Sequence, residues 1–166
     1  MTRQVLTGAQ MQTEFEIQRA TKSTTTPGDD QFQLWIGAVP ALQERRFKLA
    51  IRIVDEAEAQ RYNREYRNRD YATNVLSFPA ELPEGLPEEF RQSLLGDLLI
   101  CAPVVTREAR EQQRPEVDHW AHLTVHGLLH LLGYDHEQPG DAVVMESLET
   151  EILQKLGISD PYLDIT

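Results

Sequence analysis

Three histidines in the second half of the chain have a spacing that suits a metal site. They are His126, His130 and His136, in the run H-G-L-L-H-L-L-G-Y-D-H. In a helix, residues four positions apart lie one turn apart on one face, so the first two can bind the same ion. Gly133 favours a left-handed turn that ends the helix and lets the third histidine return as a ligand. Three imidazoles that leave a fourth position for water are typical of a catalytic zinc site.

Two more histidines, His119 and His122, lie on the same predicted helix. A helical rise of about 1.5 Å per residue separates His122 from His130 by about 12 Å, which is too far for one small ion. We therefore expect His119 and His122 at the surface or as hydrogen-bond partners of the ligands. The alternative for His126 and His130 is a pair of core histidines bonded to their neighbours, but the third histidine beyond the glycine favours the metal site.

The same run lacks the proton-transfer group of a metalloprotease. Proteases with H-E-x-x-H carry a glutamate beside the first histidine as general base. Gly127 occupies that position here, although the spacing from His130 to His136 matches the longer metzincin pattern. The pattern therefore resembles a protease in its ligands and not in its proton chemistry, which disfavours peptide hydrolysis.

The segment Arg61–Pro79 carries groups suited to RNA. Between Arg45 and Arg69 there are eight basic and four acidic residues, a local balance of +4 in a chain whose net charge is −11. Arginines neutralise phosphates locally, whatever the total charge. Interleaved tyrosines could stack on the bases of a single strand, and the alternative is a solvated helix face with its tyrosines on the core. The candidate contacts with RNA are Arg61, Arg64, Arg69, Tyr62, Tyr66 and Tyr71.

Hydrophobic periodicity predicts the elements that position these groups. Strands are expected over 14–20, 47–54, 74–79 and 94–101, and helices over 31–42, 56–66, 103–113, 118–132 and 141–155. Asp55 and Asp141 are the expected N-caps of the second and last helices, and the last helix is expected to carry at helical spacing Val144, Leu148, Glu151 or Ile152, and Lys155. The order predicts an α+β fold, a small mixed β-sheet packed with several α-helices, in a single domain over residues 1–166. Residues 1–13 are expected to be a frayed extension.

Composition limits the class of protein. The chain has 166 residues, 40% hydrophobic and 26% charged, as expected for one soluble domain with a real core. It contains no apolar run near the roughly 18 residues of a membrane span and no signal-peptide pattern at its start. A single cysteine, Cys101, excludes an intramolecular disulfide, and its apolar neighbours predict a buried, inert thiol. These features favour the cytoplasm.

Four motifs together resemble the YbeY family of bacterial endoribonucleases and ribosomal-RNA maturation factors. They are N-x-x-Y-R at 63–67, T-N-V-L-S-F-P at 73–79, L-G-D at 95–97 and the histidine run, in family order within residues 47–155. The resemblance implies a compact α+β fold, one zinc ion held by His126, His130 and His136, and an essential arginine at Arg67. It also implies cytoplasmic action on single-stranded RNA, in 3′-end maturation of 16S rRNA and in ribosome quality control. The implied partners are ribosomal particles, ribosomal proteins or an assembly GTPase, with no DNA and no membrane.

The resulting hypothesis is zinc-assisted RNA hydrolysis. Zinc would act as a Lewis acid or supply hydroxide, and the forked guanidinium of Arg67 would clamp the scissile phosphate. The nucleophile is either water or the ribose 2′-hydroxyl, which would leave a cyclic phosphate. Asp135 and Glu137 either orient His136 and accept a proton or belong to a plain turn. The alternatives are a zinc hydrolase of another substrate and a ribosome-assembly RNA-binding factor with a structural zinc.

Overall fold

The computed structural model describes residues 2–6, 12–43, 46–87, 94–135 and 137–162. Its strands are β1 (Thr2–Leu6), β2 (Gln12–Ala20), β3 (Arg46–Val54), β4 (Val75–Pro79) and β5 (Leu94–Cys101). Its helices are α1 (Asp29–Gly37), α2 (Glu56–Arg67), α3 (Ala102–Glu111), α4 (Glu116–Leu131) and α5 (Pro139–Lys155), with a 3₁₀ turn at Pro40–Leu42. None of the helices within these ranges is long and apolar enough to cross a membrane.

The strands form one mixed sheet in the order β1-β2-β3-β5-β4. The central strands β2, β3 and β5 are parallel, and β1 and β4 pair antiparallel at the two edges. Parallel neighbours need crossover connections, which α1 and α2 supply. The predicted α+β class with a small mixed sheet is confirmed. Thr2–Leu6, inside the segment expected to be frayed, pairs with residues 13–17 as an edge strand.

The two faces of the sheet carry different layers. On β3, Phe47, Leu49, Ile51 and Ile53 point into the larger core, which also contains buried residues of α1, α4 and α5. Val54 points to the opposite face, into a smaller cluster with side chains of α2, β4 and α3. Because side chains alternate along a strand, the two helices that carry the candidate site residues, α4 and α2, lie on opposite faces of one sheet.

The two predicted aspartate caps have different outcomes: Asp55 takes the N-cap position of α2 without a side-chain cap hydrogen bond, whereas the N-cap of α5 is Gln138 and not Asp141. The carboxylate of Asp55 accepts hydrogen bonds from the Thr21 hydroxyl and from the Lys22 amide, at 3.1 Å for the amide, and so ties down the loop after β2. Helix α5 begins earlier than expected, at Pro139, because proline suits the first turn, where its missing N–H is not needed. Asp141 therefore lies within the first turn of α5.

Two other helix predictions need correction. The helix expected over 31–42 ends at Gly37, and Pro40 starts the separate 3₁₀ turn because it cannot continue the helical hydrogen bonds. Of the residues expected at helical spacing on α5, Ile152 is buried and Leu148 packs against the core, but Val144 is 57% exposed and Met145, which is 1% exposed, is buried in its place. The buried face of α5 consists of Met145, Glu149, Ile152 and Leu153.

Candidate active site

Helix α4 packs against the sheet and lies under α1 and α5, so most of its residues are buried. Its first turn holds Glu116 and Asp118, whose negative charges complement the positive end of the helix dipole. It ends at Leu131, and the predicted left-handed turn follows at Gly133, which has a positive φ of 100° and donates its N–H to the carbonyl of His130 at 3.0 Å. The rigid helix therefore fixes the histidines it carries.

The position that holds a glutamate in H-E-x-x-H proteases faces the sheet in this chain. A Cβ added to Gly127 would lie 2.8 Å from Cδ2 of Leu98 and 3.3 Å from Cγ2 of Val75. Glycine lets α4 approach β4 and β5 closely, and a carboxylate side chain would not fit. The missing protease base is thus a consequence of packing.

His126 and His130 converge at one point on α4. Their Nε2 atoms lie 3.1 Å apart, and their rings cross at 76° with centroids 4.6 Å apart. Two nitrogens bound to one tetrahedral zinc at about 2.0–2.1 Å would be separated by about 3.3 Å. The observed spacing fits two ligands of one ion. His136, the third predicted ligand, lies outside the described residues, and Asp135 and Glu137 on either side of it are exposed.

Glu149 of α5 is completely buried behind these histidines. Its carboxylate faces Nδ1 of His126 at 2.5 Å and Nε2 of His122 at 3.2 Å, and it accepts a hydrogen bond from the hydroxyl of Tyr162. Burial acts to raise the pKa of this carboxyl, but the contacts with His122 and His126 outweigh it, and the pKa falls to about 2. Glu149 is therefore an ionised carboxylate held by three donors.

This contact determines which nitrogen of His126 can bind a metal. A proton on Nδ1, shared with Glu149, leaves the lone pair of Nε2 directed towards His130. A carboxylate behind a metal-binding imidazole is a common way of fixing its orientation and basicity. Glu149 was not among the residues predicted from the sequence. The sequence does place Glu149 four positions after Met145 and on the same helix face as Ile152, a spacing that indicates an acidic residue on an otherwise apolar face.

The structure also brings together a second group able to hold a metal ion. His122, His126 and Glu149 have ligand atoms within 4.8 Å of one another. In that arrangement Nδ1 of His126 and the carboxylate are only 2.5 Å apart, a hydrogen-bond distance shorter than that between two ligands of one zinc. The short contact therefore favours Glu149 and His122 as hydrogen-bond partners of His126. His119, which was expected at the surface or beside a ligand, is instead buried, and its Nε2 contacts the carboxylate of Glu108 of α3 at 2.9 Å.

Arg67 lies at the last residue of α2, beside edge strand β4. It donates from Nη2 to the carbonyl of Ser77 at 2.8 Å and from Nη1 to the carbonyl of Tyr66 at 3.2 Å. Its guanidinium lies 5.4 Å above the ring of Phe78. The hydroxyl of Ser77 in turn donates to the carbonyl of Gly127 at 3.1 Å. One residue of β4 thus connects Arg67 to the helix of the histidines.

The other predicted arginines are exposed along α2 and the turn after it. Arg61 lies 5.1 Å above the ring of Tyr62, and Arg64 forms a long ion pair of 3.8 Å with Asp70. Arg69 contacts the hydroxyl of Tyr71 at 3.4 Å. Asn68, with a φ of 59°, ends α2 in the left-handed conformation and turns the chain towards β4. This surface is basic and aromatic and adjoins Arg67.

Comparisons with known proteins give a consistent assignment. A family model described as endoribonuclease YbeY matches residues 14–157. The chain is 59% identical to the endoribonuclease YbeY of Stenotrophomonas maltophilia over 136 residues, 82% of this chain and 84% of the relative. It is 56% identical to the protein of the same name from Halorhodospira halophila over 138 residues, 83% of this chain and 89% of the relative.

A solved structure agrees at the level of the fold. The solution structure of TM1509 from Thermotoga maritima superposes with a TM-score of 0.52 at 21% identity, covering 90% of this chain and 100% of that one. The family model and the curated relatives together span most of the chain, including both the histidine helix and the segment of Arg67. This chain is a member of the endoribonuclease YbeY family.

Proposed function

We propose that this protein is a zinc-dependent endoribonuclease that cuts single-stranded RNA. The observation that carries the proposal is the convergence of the Nε2 atoms of His126 and His130, with His126 held from behind by the buried carboxylate of Glu149. The names of the relatives supply the reaction class, and the basic, aromatic surface of α2 supports RNA as the substrate. The proposed setting is the cytoplasm, in maturation of the 3′ end of 16S rRNA and in quality control of ribosomes.

Zinc would be held by His126, His130 and His136. When bound, it supplies Lewis acidity to the phosphate and lowers the pKa of a bound water molecule. Glu149 keeps the proton of His126 on Nδ1, which leaves Nε2 available as a ligand. Neither His122 nor Glu149 is assigned as a ligand in this proposal.

Arg67 is the proposed catalytic group on the scissile phosphate. A guanidinium has five N–H donors, and the contacts with the carbonyls of Ser77 and Tyr66 use two of them. Those two contacts fix the plane of the group, and the remaining donors suit two phosphate oxygens that gain charge in the transition state. A lysine could not make both backbone contacts and still present a fork to phosphate.

The proposed substrate is a single strand because its bases must be free to stack. Tyr66 is 57% exposed beside Arg67, and exposed aromatic rings next to arginines are typical of single-strand binding. The 16S rRNA, ribosomal particles, ribosomal proteins and an assembly GTPase are the proposed partners. Arg61, Arg64 and Arg69 are proposed to contact phosphates on either side of the cut.

The experiment is single-turnover cleavage of a labelled single-stranded rRNA fragment by wild type, His130→Ala and Arg67→Ala. Arg110→Ala is the matched control, since Arg110 is also an exposed arginine in the last turn of a helix, α3. We expect Arg67→Ala to lose at least about 100-fold in rate with its zinc content unchanged, and His130→Ala to lose both zinc and activity. The chemical nature of the product termini distinguishes attack by water from attack by the 2′-hydroxyl. Equal cleavage by all four proteins would assign the activity to a contaminant and favour an RNA-binding assembly factor.

A further inference from the structure

A cavity of about 370 Å³ lies on the sheet face that carries α2, opposite the histidine helix. Its walls include Tyr62 and Tyr66 of α2, Phe78 of β4 and Asp97 of β5. Tyr62 and Tyr66 are stacked at 5.8 Å, and Tyr66 meets the edge of Phe78 at 5.5 Å. Pockets that bind small ligands usually begin at about 300 Å³, so this cavity suits a ligand as small as one nucleobase.

The cation on the cavity wall is already neutralised. Arg52 donates to both carboxylate oxygens of Glu58, at 2.5 and 3.0 Å, and to the side-chain oxygen of Gln18 at 3.1 Å. The hydrogen bond from Arg52 lowers the pKa of Glu58, so the pair remains ionised at neutral pH. Because the guanidinium of Arg52 already donates to Glu58 and Gln18, it does not provide a phosphate site. The groups of the cavity wall that remain for a ligand are therefore the aromatic rings and the carboxylate of Asp97.

Among the residues that the structure describes, no cation forms an ion pair with Asp97. Burial raises the pKa of this carboxyl, and the nearby charge of Glu16 raises it further. Within the ranges that the structure describes, no donor contacts its side chain. Asp97 is still partly open to solvent, and an ionised carboxylate only accepts hydrogen bonds, so a ligand that displaces water from it must offer donors. The cavity thus combines a surface for stacking with an acceptor for N–H groups.

We propose that this cavity binds a guanine base of the RNA strand, one nucleotide away from the phosphate held by Arg67. Guanine presents a ring N–H and an amino group side by side, a pair of donors that matches one carboxylate. Uracil flanks its single ring N–H with two carbonyl oxygens, which a carboxylate repels. The inference rests on the proposed function, because it assumes that the phosphate neighbouring this base lies at Arg67.

The path between the two sites follows edge strand β4. Ser77 and Phe78 are consecutive, so their side chains lie on opposite faces of the sheet. Ser77 contacts the histidine helix, Phe78 lines the cavity, and Arg67 contacts both residues at the strand edge. An RNA strand that crosses this edge would place a phosphate at Arg67 and the adjoining base in the cavity.

The test uses nucleoside 5′-monophosphates, which contain no phosphodiester and so cannot report on cleavage. Their affinities for the zinc-loaded protein are measured by calorimetry, and their contact site by amide chemical shifts. We expect GMP to bind about tenfold more tightly than UMP, with shifts at Ala50 and Leu99. Asp97→Asn should remove the preference for GMP. Tyr66→Leu should lower the affinity for both GMP and UMP about tenfold, because it removes a ring on which either base would stack.

Leu34→Ala is the control for nucleotide binding, because Leu34 of α1 is 62% exposed and does not line the cavity. Thermal unfolding of each variant separates loss of binding from loss of fold. Equal affinity for GMP and UMP, an unchanged preference in Asp97→Asn, or shifts confined to α4 would each overturn the proposal. Cleavage of RNA without nucleotide binding would refute the cavity alone, whereas selective GMP binding without cleavage would refute the nuclease alone.

Discussion

Replacing Glu149 by glutamine tests whether this residue orients a ligand or is one. The substitution keeps the size of the side chain and removes the negative charge that accepts from His126, His122 and Tyr162. Hydrogen bonds to a charged acceptor contribute about 1.5–3 kcal/mol and those to a neutral one about 0.5–1.5 kcal/mol. The loss of about 1–1.5 kcal/mol for each of the three bonds is partly offset because a charge is no longer buried, so we expect the free energy of unfolding to fall by about 1–3 kcal/mol, with the fold retained.

The expected effect on zinc is larger than on the fold. Loss of a carboxylate behind a metal-binding histidine typically costs 10- to 100-fold in metal affinity. This corresponds to about 1.4–2.7 kcal/mol of binding free energy. The assay is competition for zinc against a chromophoric chelator, compared among wild type, Glu149→Gln, His130→Ala and His122→Ala. Only His130→Ala is expected to abolish tight binding.

Glu108→Gln is the matched control. Its carboxylate also accepts from a histidine of α4, His119, and from Asn74, and hydrogen bonds from both side chains help to lower its pKa against the opposing effect of burial. It should lose stability and keep its zinc affinity. Unchanged zinc affinity in Glu149→Gln would refute the orienting role. Tight binding by His130→Ala together with its loss in His122→Ala would show that His122, His126 and Glu149 are the ligands.

Three further predictions concern the rest of the fold. Gly127→Glu, which creates the protease motif, should lower the Tm by about 6–12 °C in calorimetry and give no peptidase activity. The reason is that a Cβ at this position already meets Leu98 at 2.8 Å and that the new charge would be buried. A wild-type Tm would contradict this prediction. The hydrogen bond from Arg52 lowers the pKa of Glu58 in the folded protein. The ion pair therefore adds less than about 1 kcal/mol to the free energy of unfolding, because it is partly exposed. This stabilisation is present above the pKa of Glu58 in the unfolded chain and is lost as the pH falls through its pKa in the folded protein. Denaturant unfolding at neutral and acidic pH should therefore show a smaller acid loss in Glu58→Gln than in wild type, and equal losses would refute it. Cys101 is buried, which raises the pKa of its thiol to about 11, so a thiol reagent should react only after denaturant is added; rapid reaction of the native protein would refute this.

The helix of the histidines was predictable because its signals are local. The four-residue spacing of His126 and His130 and the helix-ending Gly133 predict the pair and the turn, and the structure has both. The prediction that Cys101 is buried is also confirmed. Strand alternation located β3 within one residue, since one face of that strand is buried along its whole length.

Glu149 could not be found in the same way. The N-terminal part of helix α5 contains a run of four apolar residues, 142–145. Periodicity alone does not say which of these four face the core. The choice is made by packing against α4, which buries Met145 and leaves Val144 exposed. A carboxylate is also rarely buried unless it has hydrogen-bond partners. The partners of Glu149 are histidines of α4 and Tyr162, which lies beyond the end of α5, and no local pattern in the sequence brings them together. The strand order likewise depends on contacts between elements far apart in the chain.

The contact between Arg67 and the backbone of β4 has a consequence for solubility. Ser77 pairs with Leu98 at a position where its carbonyl points away from β5, towards the outer edge of the sheet. An exposed strand edge of this kind can recruit a strand from another molecule and start aggregation. The guanidinium occupies that carbonyl at 2.8 Å, so the residue proposed to act on phosphate also blocks edge-to-edge association. Losing this arginine would therefore expose a site for self-association, and the activity of such a variant should be measured on its monomeric fraction.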